Sequence, residues 1–181
     1  MAQVTKQNWL DAGREVILES GFKGLTLQVL LGRLGVTHGS FYHHFKNRKA
    51  LTEALLEEWQ QQMVVNIIES TSQISGLGVR VDTLIAKGLE QSEQTQLEVA
   101  IRAQAFDDPV VAAYVEKVDA LRLQHSRALA LAATGDVDRA EILGNMIHAI
   151  FVGSQQVYPP FNDQQMKLIY QELKQLIAAS L

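Results

Sequence analysis

The 181-residue chain is 47% apolar, has three prolines and no cysteine, and carries a formal charge of −4 that divides into a basic start (residues 1–50, net +4) and an acidic remainder (residues 51–181, net −8). This composition excludes disulfides, thiolate metal sites and a cysteine nucleophile, and neither an apolar run of about 18 residues nor a signal-peptide pattern is found, so we expect a cytoplasmic protein without a membrane partner. A basic segment on an acidic body is the arrangement expected where a small module meets a polyanion.

Helical periodicity dominates the sequence, and no segment shows the sustained two-residue alternation of a strand, so the predicted fold is all-α. The first helix is expected to begin after the capping residue Thr5, with Trp9, Val16 and Ile17 on its apolar side. Gly21 should end it, because glycine readily takes the left-handed conformation found at helix ends.

Two short helices joined by a three-residue connection are predicted next. Thr26 should cap the first, whose leucines form an apolar face, and Gly35 should end it. Thr37 should cap the second, which places Phe41 and Phe45 inward, one turn apart. The pattern is typical of a helix-turn-helix unit.

A long fourth helix is predicted from about residue 48 to about residue 72, where a glycine-rich segment follows. The later helices are expected at about 79–92, 96–106, 109–132, 136–157 and 163–179. We therefore expect a helix-turn-helix domain, residues 1–47, joined to a larger helical domain, residues 48–181.

The third helix offers a polar side to a duplex. His38, Ser40, Tyr42 and His43 can all form hydrogen bonds, and an α-helix fits the major groove, where base edges are exposed. Gly39 removes side-chain bulk near the helix start, which permits a close approach of the backbone to DNA. No metal site is expected from these histidines, because neighbouring residues point about 100° apart on a helix and no acidic or cysteine partner is near.

The residues from Gly35 to Leu51 read GVTHGSFYHHFKNRKAL. They resemble the TetR/AcrR signature G-V-[ST]-x-G-[ST]-[LF]-Y-x-[HY]-F-x-[SN]-[KR]-x-x-L, and the similarity extends over about residues 9–55. This resemblance implies a dimeric, ligand-responsive transcriptional regulator, most often a repressor, that binds operator DNA. Leu31 and Gly32 depart from the usual small residue and helix former, and Gly32 costs about 1 kcal/mol against alanine.

The resemblance also implies which side chains meet DNA. Tyr42 and His44 reach phosphates in such proteins, although either could instead fix the turn against the fourth helix. Lys46 and Arg48 stand at the start of that helix, where cations and free N–H groups can face a phosphate or remain solvated. The predicted DNA-binding residues are Thr26, Gln28, Thr37, His38, Gly39, Ser40, Tyr42, His43, His44, Lys46 and Arg48.

Proteins of this type use the larger domain for effector binding and dimerisation, so the resemblance implies that the last two helices pair in a four-helix homodimer interface. Both helices are apolar on more than one face, which exceeds what a surface helix needs. The predicted interface residues are Ile147, Phe151, Ile169 and Leu173.

Polar residues within apolar helices are the one indication of a small-molecule effector site. The candidates are Arg102, His125, Asn145 and His148, with Trp59 and Phe106 as walls. For each residue the alternative is an ordinary surface position or a satisfied core position.

Two other function classes are alternatives to a regulator. An enzyme is disfavoured because the sequence lacks a Gly-rich phosphate loop, a His-Glu-x-x-His motif and a Gly-x-Ser-x-Gly elbow, so no catalytic residue and no cofactor are expected. A helical protein-interaction module with the same fold remains open, and a DNA-binding assay separates it from a regulator.

Overall fold

A computed structural model describes residues 4–89, 92–159 and 161–179, apart from the side chains of residues 88, 89, 92–94 and 176–179. This part of the chain is helical and contains no strand, so the predicted all-α fold is confirmed. The helices are α1 (Lys6–Gly24), α2 (Leu27–Leu34), α3 (His38–His44), α4 (Arg48–Gln60), a π-helical turn (Gln61–Val65), α5 (Asn66–Ser72), α6 (Leu77–Leu89), α7 (Ser92–Ala105), α8 (Pro109–Thr134), α9 (Val137–Gln156) and α10 (Asp163–Ala179).

The chain divides into two compact units. The first contains the residues up to 61 together with residues 96–116, and the second contains residues 62–95 and 117–181. The division therefore does not follow the expected boundary at residue 47. The reason is that α4 packs on α1, where a Cβ atom added at Gly13 would lie only 2.9 Å from Leu55 Cδ1.

Aromatic side chains hold α3 in the first unit. Trp9 of α1 is fully buried and meets Phe41 of α3 edge-on, with 5.3 Å between the ring centroids. Phe41 also packs on Phe45 at 5.7 Å, and both phenylalanines are buried, as predicted. Aromatic pairs of this kind contribute about 0.5–1.5 kcal/mol to stability beyond the burial of their area. They therefore hold α3 against α1.

The ends of α1 follow the sequence signals closely. Thr5 and Asn8 form a capping box, in which each side chain bonds the other residue's backbone N–H. Gly21 has a φ of +65°, so the predicted helix stop is present as a kink, after which a last helical turn continues to Gly24.

The predicted fourth helix is interrupted. α4 ends at Gln60, a π-helical turn occupies Gln61–Val65, and α5 continues to Ser72. Met63 and Val64 of this turn are buried. A π-helical turn inserts extra backbone into a helix and is frequent at functional sites, and the apolar periodicity gave no signal for it.

In the second unit, α8 and α9 cross at very short range. A Cβ atom at Gly144 would lie 2.8 Å from both the N and the Cα atoms of Arg127, so a side chain at this position cannot be accommodated without moving backbone. Arg127 then bonds to Asn145 Oδ1 at 2.8 Å across the same crossing. None of the helices in the described ranges has the length and hydropathy needed to span a membrane.

Candidate nucleic-acid interface and ligand cavity

Local capping defines the two helices of the candidate DNA-binding motif. At the start of α2, Thr26 Oγ1 accepts a hydrogen bond from Val29 N at 3.3 Å. At its end, Gly35 has a φ of +64°, and Val36 N donates to Leu31 O at 3.2 Å. Because this conformation strains any residue with a Cβ atom, the glycine fixes the tight turn that leads into α3.

α3 has one buried side and one exposed side. Phe41 faces the core, whereas His38, Tyr42 and His43 are exposed and Ser40 is half-buried. Tyr42 is 59% exposed, and its ring rests edge-on against Phe41 at 5.4 Å. A short helix anchored on one side by an aromatic residue therefore presents hydrogen-bonding groups on the other.

Gly39 lies at the exposed start of α3. A Cβ atom there would meet only Thr37 Oγ1, at 3.8 Å, so packing within the described protein does not require a glycine. Thr37 occupies the N-cap position, as predicted, but its side chain makes no capping hydrogen bond to the helix as described. The absence of bulk at this point suits a partner that approaches the backbone closely.

Arg33 of α2 is bound to α1 rather than offered to a partner. Its guanidinium lies 2.8 Å from a Glu15 carboxylate oxygen and also pairs with Glu19. Hydrogen bonding to these carboxylates raises the pKa of Arg33, and the hydrogen bond from Arg33 lowers the pKa of Glu19. Exposed pairs stabilise little, but they neutralise one arginine of the basic segment.

Arg14 is bound in the same way, at 2.5 Å from Asp11 and 3.5 Å from Glu58. Residues 1–50 contain three acids, Asp11, Glu15 and Glu19. Each of them forms a salt bridge with either Arg14 or Arg33. The other basic residues of this segment are Lys6, Lys23, Lys46, Arg48 and Lys49, of which Lys49 pairs with Glu53 at 3.8 Å. The last three of these surround the start of α4 and are exposed.

Two of the predicted DNA contacts already bond to the protein backbone. Arg48 Nη2 donates to Phe22 O at 3.0 Å, and His44 Nε2 donates to Val4 O at 2.9 Å. A guanidinium has five N–H donors, so Arg48 retains donors for a phosphate. His44 is half-buried, and its contact with Val4 fixes the residues before α1, which differs from the expected alternative of a contact with the fourth helix.

The remaining predicted contacts differ in exposure. Gln28 and Lys46 are exposed, whereas Thr26 is half-buried with its hydroxyl used as a helix cap. The exposed predicted residues of α3 and the α3–α4 connection thus include His38, Gly39, Tyr42, His43 and Lys46.

A cavity of about 360 Å³ lies wholly within the second unit. Residues of the π-helical turn, α5, α6, α8, α9 and α10 line it, together with Thr95 of α7, and most are aliphatic. Two of the six predicted effector residues, His125 and His148, belong to its wall. A volume of this size is within the range of small-molecule sites.

The other four predicted effector residues lie elsewhere. Trp59 is buried in the first unit, and Arg102 forms a salt bridge there with the buried Glu98 at 2.9 Å. Phe106, also in the first unit, is 91% exposed, and Asn145 is exposed on α9. These positions contribute nothing to the cavity wall. The sequence could not exclude them, because helical periodicity does not tell which helices converge on a cavity.

The residues predicted for a dimer interface are placed differently from expectation. Ile147, Phe151 and Leu173 line the cavity, and Ile169 is half-buried. Among the described residues of α9 and α10, the large apolar side chains that are exposed are Val137, Ile142, Met146 and Leu168. The apolar residues of α9 occupy more than one face, and the packing of α8 against it selects which of them turn inward.

Several further polar side chains of the cavity were not predicted, among them Arg122, Gln155 and Tyr170. The Arg122 guanidinium lies over the Phe151 ring at 4.9 Å, Gln155 lies one turn beyond Phe151, and burial raises the pKa of Tyr170 to about 12. Arg122 could have been predicted from its spacing on α8, because it precedes His125 by three residues and therefore lies on the same helical face.

A family model for bacterial regulatory proteins of the TetR family matches residues 10–55. The matched segment contains most of α1, the whole of α2 and α3 with its exposed polar side, and the first half of α4. Residues 10–55 therefore match the TetR family. The signature resemblance read from residues 35–51 is thereby confirmed.

Two proteins of Escherichia coli are similar to part of this chain. The HTH-type transcriptional regulator UidR of Escherichia coli is 28% identical over 115 residues, which span 64% of this chain and 59% of UidR. Tetracycline repressor protein class D of Escherichia coli is 38% identical over 58 residues, 32% of this chain and 27% of the repressor. This chain thus matches about three fifths of the length of UidR.

A solved structure carries the same fold over nearly the full length. The protein is described as a transcriptional regulator from Saccharomonospora viridis, in complex with choline. The TM-score is 0.79 at 12% identity, with 96% of this chain and 95% of that chain covered. At this identity the similarity shows a shared fold.

Proposed function

We propose that this protein is a TetR-family transcriptional repressor that binds double-stranded operator DNA as a homodimer and is released from it by a small molecule. One observation carries the proposal: His38, Tyr42 and His43 of α3 are exposed, whereas Phe41 of the same helix is buried. The proposed role is that of a cytoplasmic DNA-binding protein without catalytic activity.

Base recognition is assigned to one face of α3. Ser40 and His43 are three residues apart and share a helical face, so both can approach base edges in the major groove. Tyr42 points about 100° away from His43, toward the flank where a sugar-phosphate strand passes. Lys46 and Arg48 follow on the same basic segment and supply contacts to phosphates that do not depend on sequence.

Dimerisation supplies a second copy of α3, which can bind the second half-site of an operator. Two copies of α3 must enter successive major grooves about 34–36 Å apart, so small changes in their separation alter the fit to DNA. Exposed apolar residues on α9 and α10 give the dimer a surface, because a monomer would leave Ile142, Met146 and Leu168 in water.

The cavity of the second unit is the proposed effector site. Its wall includes Met63 and Val64, in the π-helical turn that follows α4 directly in the chain. A ligand that contacts this turn acts at the end of the helix whose start bears Lys46 and Arg48, and ligand and operator then oppose each other reciprocally. The choline complex of the Saccharomonospora viridis protein supports ligand binding by this fold.

Fluorescence anisotropy tests the proposal with duplexes from the region flanking the protein's own coding sequence and with scrambled duplexes. We expect specific binding at least about a thousandfold tighter than binding to scrambled DNA, with an affinity that falls steeply with salt. A protein-interaction module or an enzyme would show no such preference. Equal affinity for both duplexes at every salt concentration contradicts DNA recognition by this surface.

A further inference from the structure

Two neutral polar atoms of the cavity wall lack hydrogen-bond partners among the described residues. They are Nε2 of His125 on α8 and Oε1 of Gln155 on α9, and both atoms are buried from solvent. Buried polar groups in proteins are nearly always hydrogen-bonded, because an unmade bond costs the full desolvation of the group. Two such atoms in the wall of one cavity indicate a ligand that supplies the missing bonds.

The charged groups around the cavity, in contrast, already have partners. Lys174 Nζ lies 2.6 Å from Asp82 Oδ1, and the Arg122 guanidinium lies over the Phe151 ring. His148 has a carboxylate partner on α8 at 3.4 Å. A charged ligand would therefore have to displace an existing partner or lie unpaired among apolar side chains, which is costly.

His125 faces the cavity as a neutral imidazole. Burial and the positive charge of Arg80 both lower its pKa. Arg80 itself donates to Ile74 O at 3.1 Å, so it stays in place as a cation beside the histidine. A neutral imidazole offers one donor and one acceptor, which complements a hydroxyl or an amide.

We infer that the cavity takes a neutral, largely apolar ligand with a hydroxyl or amide group that hydrogen-bonds to His125 and Gln155. This inference rests on the proposed function in that it assigns the ligand class of the proposed effector site. An organic cation is disfavoured because the described wall residues include Arg122 and Lys174 but no carboxylate. An anion is disfavoured because it would separate these two cations from their partners.

The full chain can be tested with the neutral fluorescent dye N-phenyl-1-naphthylamine and three competitors with eight carbons: octan-1-ol, octanoate and octylammonium. We expect octan-1-ol to displace the dye at concentrations at least about tenfold below those needed for either ion, because the ions lose solvation without gaining a partner. Leu143→Trp fills the cavity and should abolish the dye signal, which locates the binding.

Two variants test the hydrogen bonds. His125→Phe and Gln155→Leu keep the approximate shape of each side chain and should each weaken octan-1-ol binding about three- to tenfold. The ether 1-methoxyoctane cannot donate to Gln155 Oε1, so its affinity should be unchanged by Gln155→Leu. Thermal melting verifies that both variants fold, and the charge series on the unmodified protein decides the ligand class even where a variant does not fold.

Tighter binding of octanoate or of octylammonium would overturn the inference. Unchanged octan-1-ol affinity in both folded variants would do the same. Operator binding is measured in parallel to separate the two claims. If octan-1-ol binds as expected and operator affinity stays constant, the ligand class stands and release by an effector fails; if no competitor binds while operator recognition is intact, the ligand class fails alone.

Discussion

Arg48 and Phe22 are joined by a hydrogen bond, in which Arg48 Nη2 donates to the Phe22 carbonyl oxygen at 3.0 Å. The bond ties the start of α4 to the segment that follows the kink of α1 at Gly21. Lys46, two residues earlier, is exposed, and its charge is free of the acids that neutralise Arg14 and Arg33. Arg48 therefore contributes to the stability of the fold, whereas the Lys46 side chain is available to a phosphate.

Arg48→Ala and Lys46→Ala should accordingly separate stability from phosphate binding. Arg48→Ala should lower the free energy of unfolding by about 1 kcal/mol, because it removes a charged donor, although Phe22 O keeps its hydrogen bond from Leu25 N at 3.3 Å. Lys46→Ala should leave stability unchanged and reduce the salt slope of DNA binding by about one. Urea unfolding and salt titrations of anisotropy measure both; an unaltered salt slope for Lys46→Ala contradicts its phosphate contact.

Tyr42→Phe tests the exposed face of α3. It keeps the ring that rests on Phe41 and removes one hydroxyl, so we expect a loss of about 1 kcal/mol in affinity that is nearly equal for all DNA sequences. His43→Ala and Ser40→Ala should instead change the preference among operator variants.

Affinities for matched and scrambled duplexes at two salt concentrations decide between these expectations. Val29→Ala, an exposed apolar position on α2, serves as the control with no polar group to lose. Should Tyr42→Phe change base preference while His43→Ala does not, the proposed orientation of α3 in the groove is wrong.

Gly144 and Gly153 give a matched pair on α9. Gly144→Ala should destabilise the protein by about 2 kcal/mol or more, because its Cβ would lie 2.8 Å from Arg127 backbone atoms and force α8 and α9 apart. Gly153→Ala should stabilise it by about 0.5–1 kcal/mol, since a Cβ there meets nothing within 4 Å and alanine favours helix. Urea unfolding at fixed protein concentration measures both, and equal effects of the two substitutions contradict the close crossing.

The proposed dimer should have about twice the 20.1 kDa mass of the chain in light scattering. Ile142→Glu should shift it toward monomer, because this 61% exposed side chain would be buried in a partner. Val79→Glu, at a 60% exposed position on α6, is the control and should remain dimeric. A monomer of the unmodified protein at micromolar concentration refutes the interface.

The sequence by itself determined the all-α fold and the position of the helix-turn-helix. Caps and stops act over a few residues, so Thr5, Thr26 and Gly35 could be assigned without knowledge of the rest of the chain. The inward direction of Phe41 and Phe45 followed in the same way from one helical turn. The family signature spans this same local segment.

Only the tertiary structure decided which side chains meet in the second unit. Ile147 and Phe151 were expected outside, at an interface, and they line the cavity, while Trp59 and Phe106 were expected at the cavity and lie in the first unit. Where a helix is apolar on several faces, its apolar pattern is compatible with many different arrangements of the neighbouring helices. The choice is made by contacts between residues far apart in the chain, such as the approach of Gly144 to Arg127, and a single sequence contains no direct signal for these.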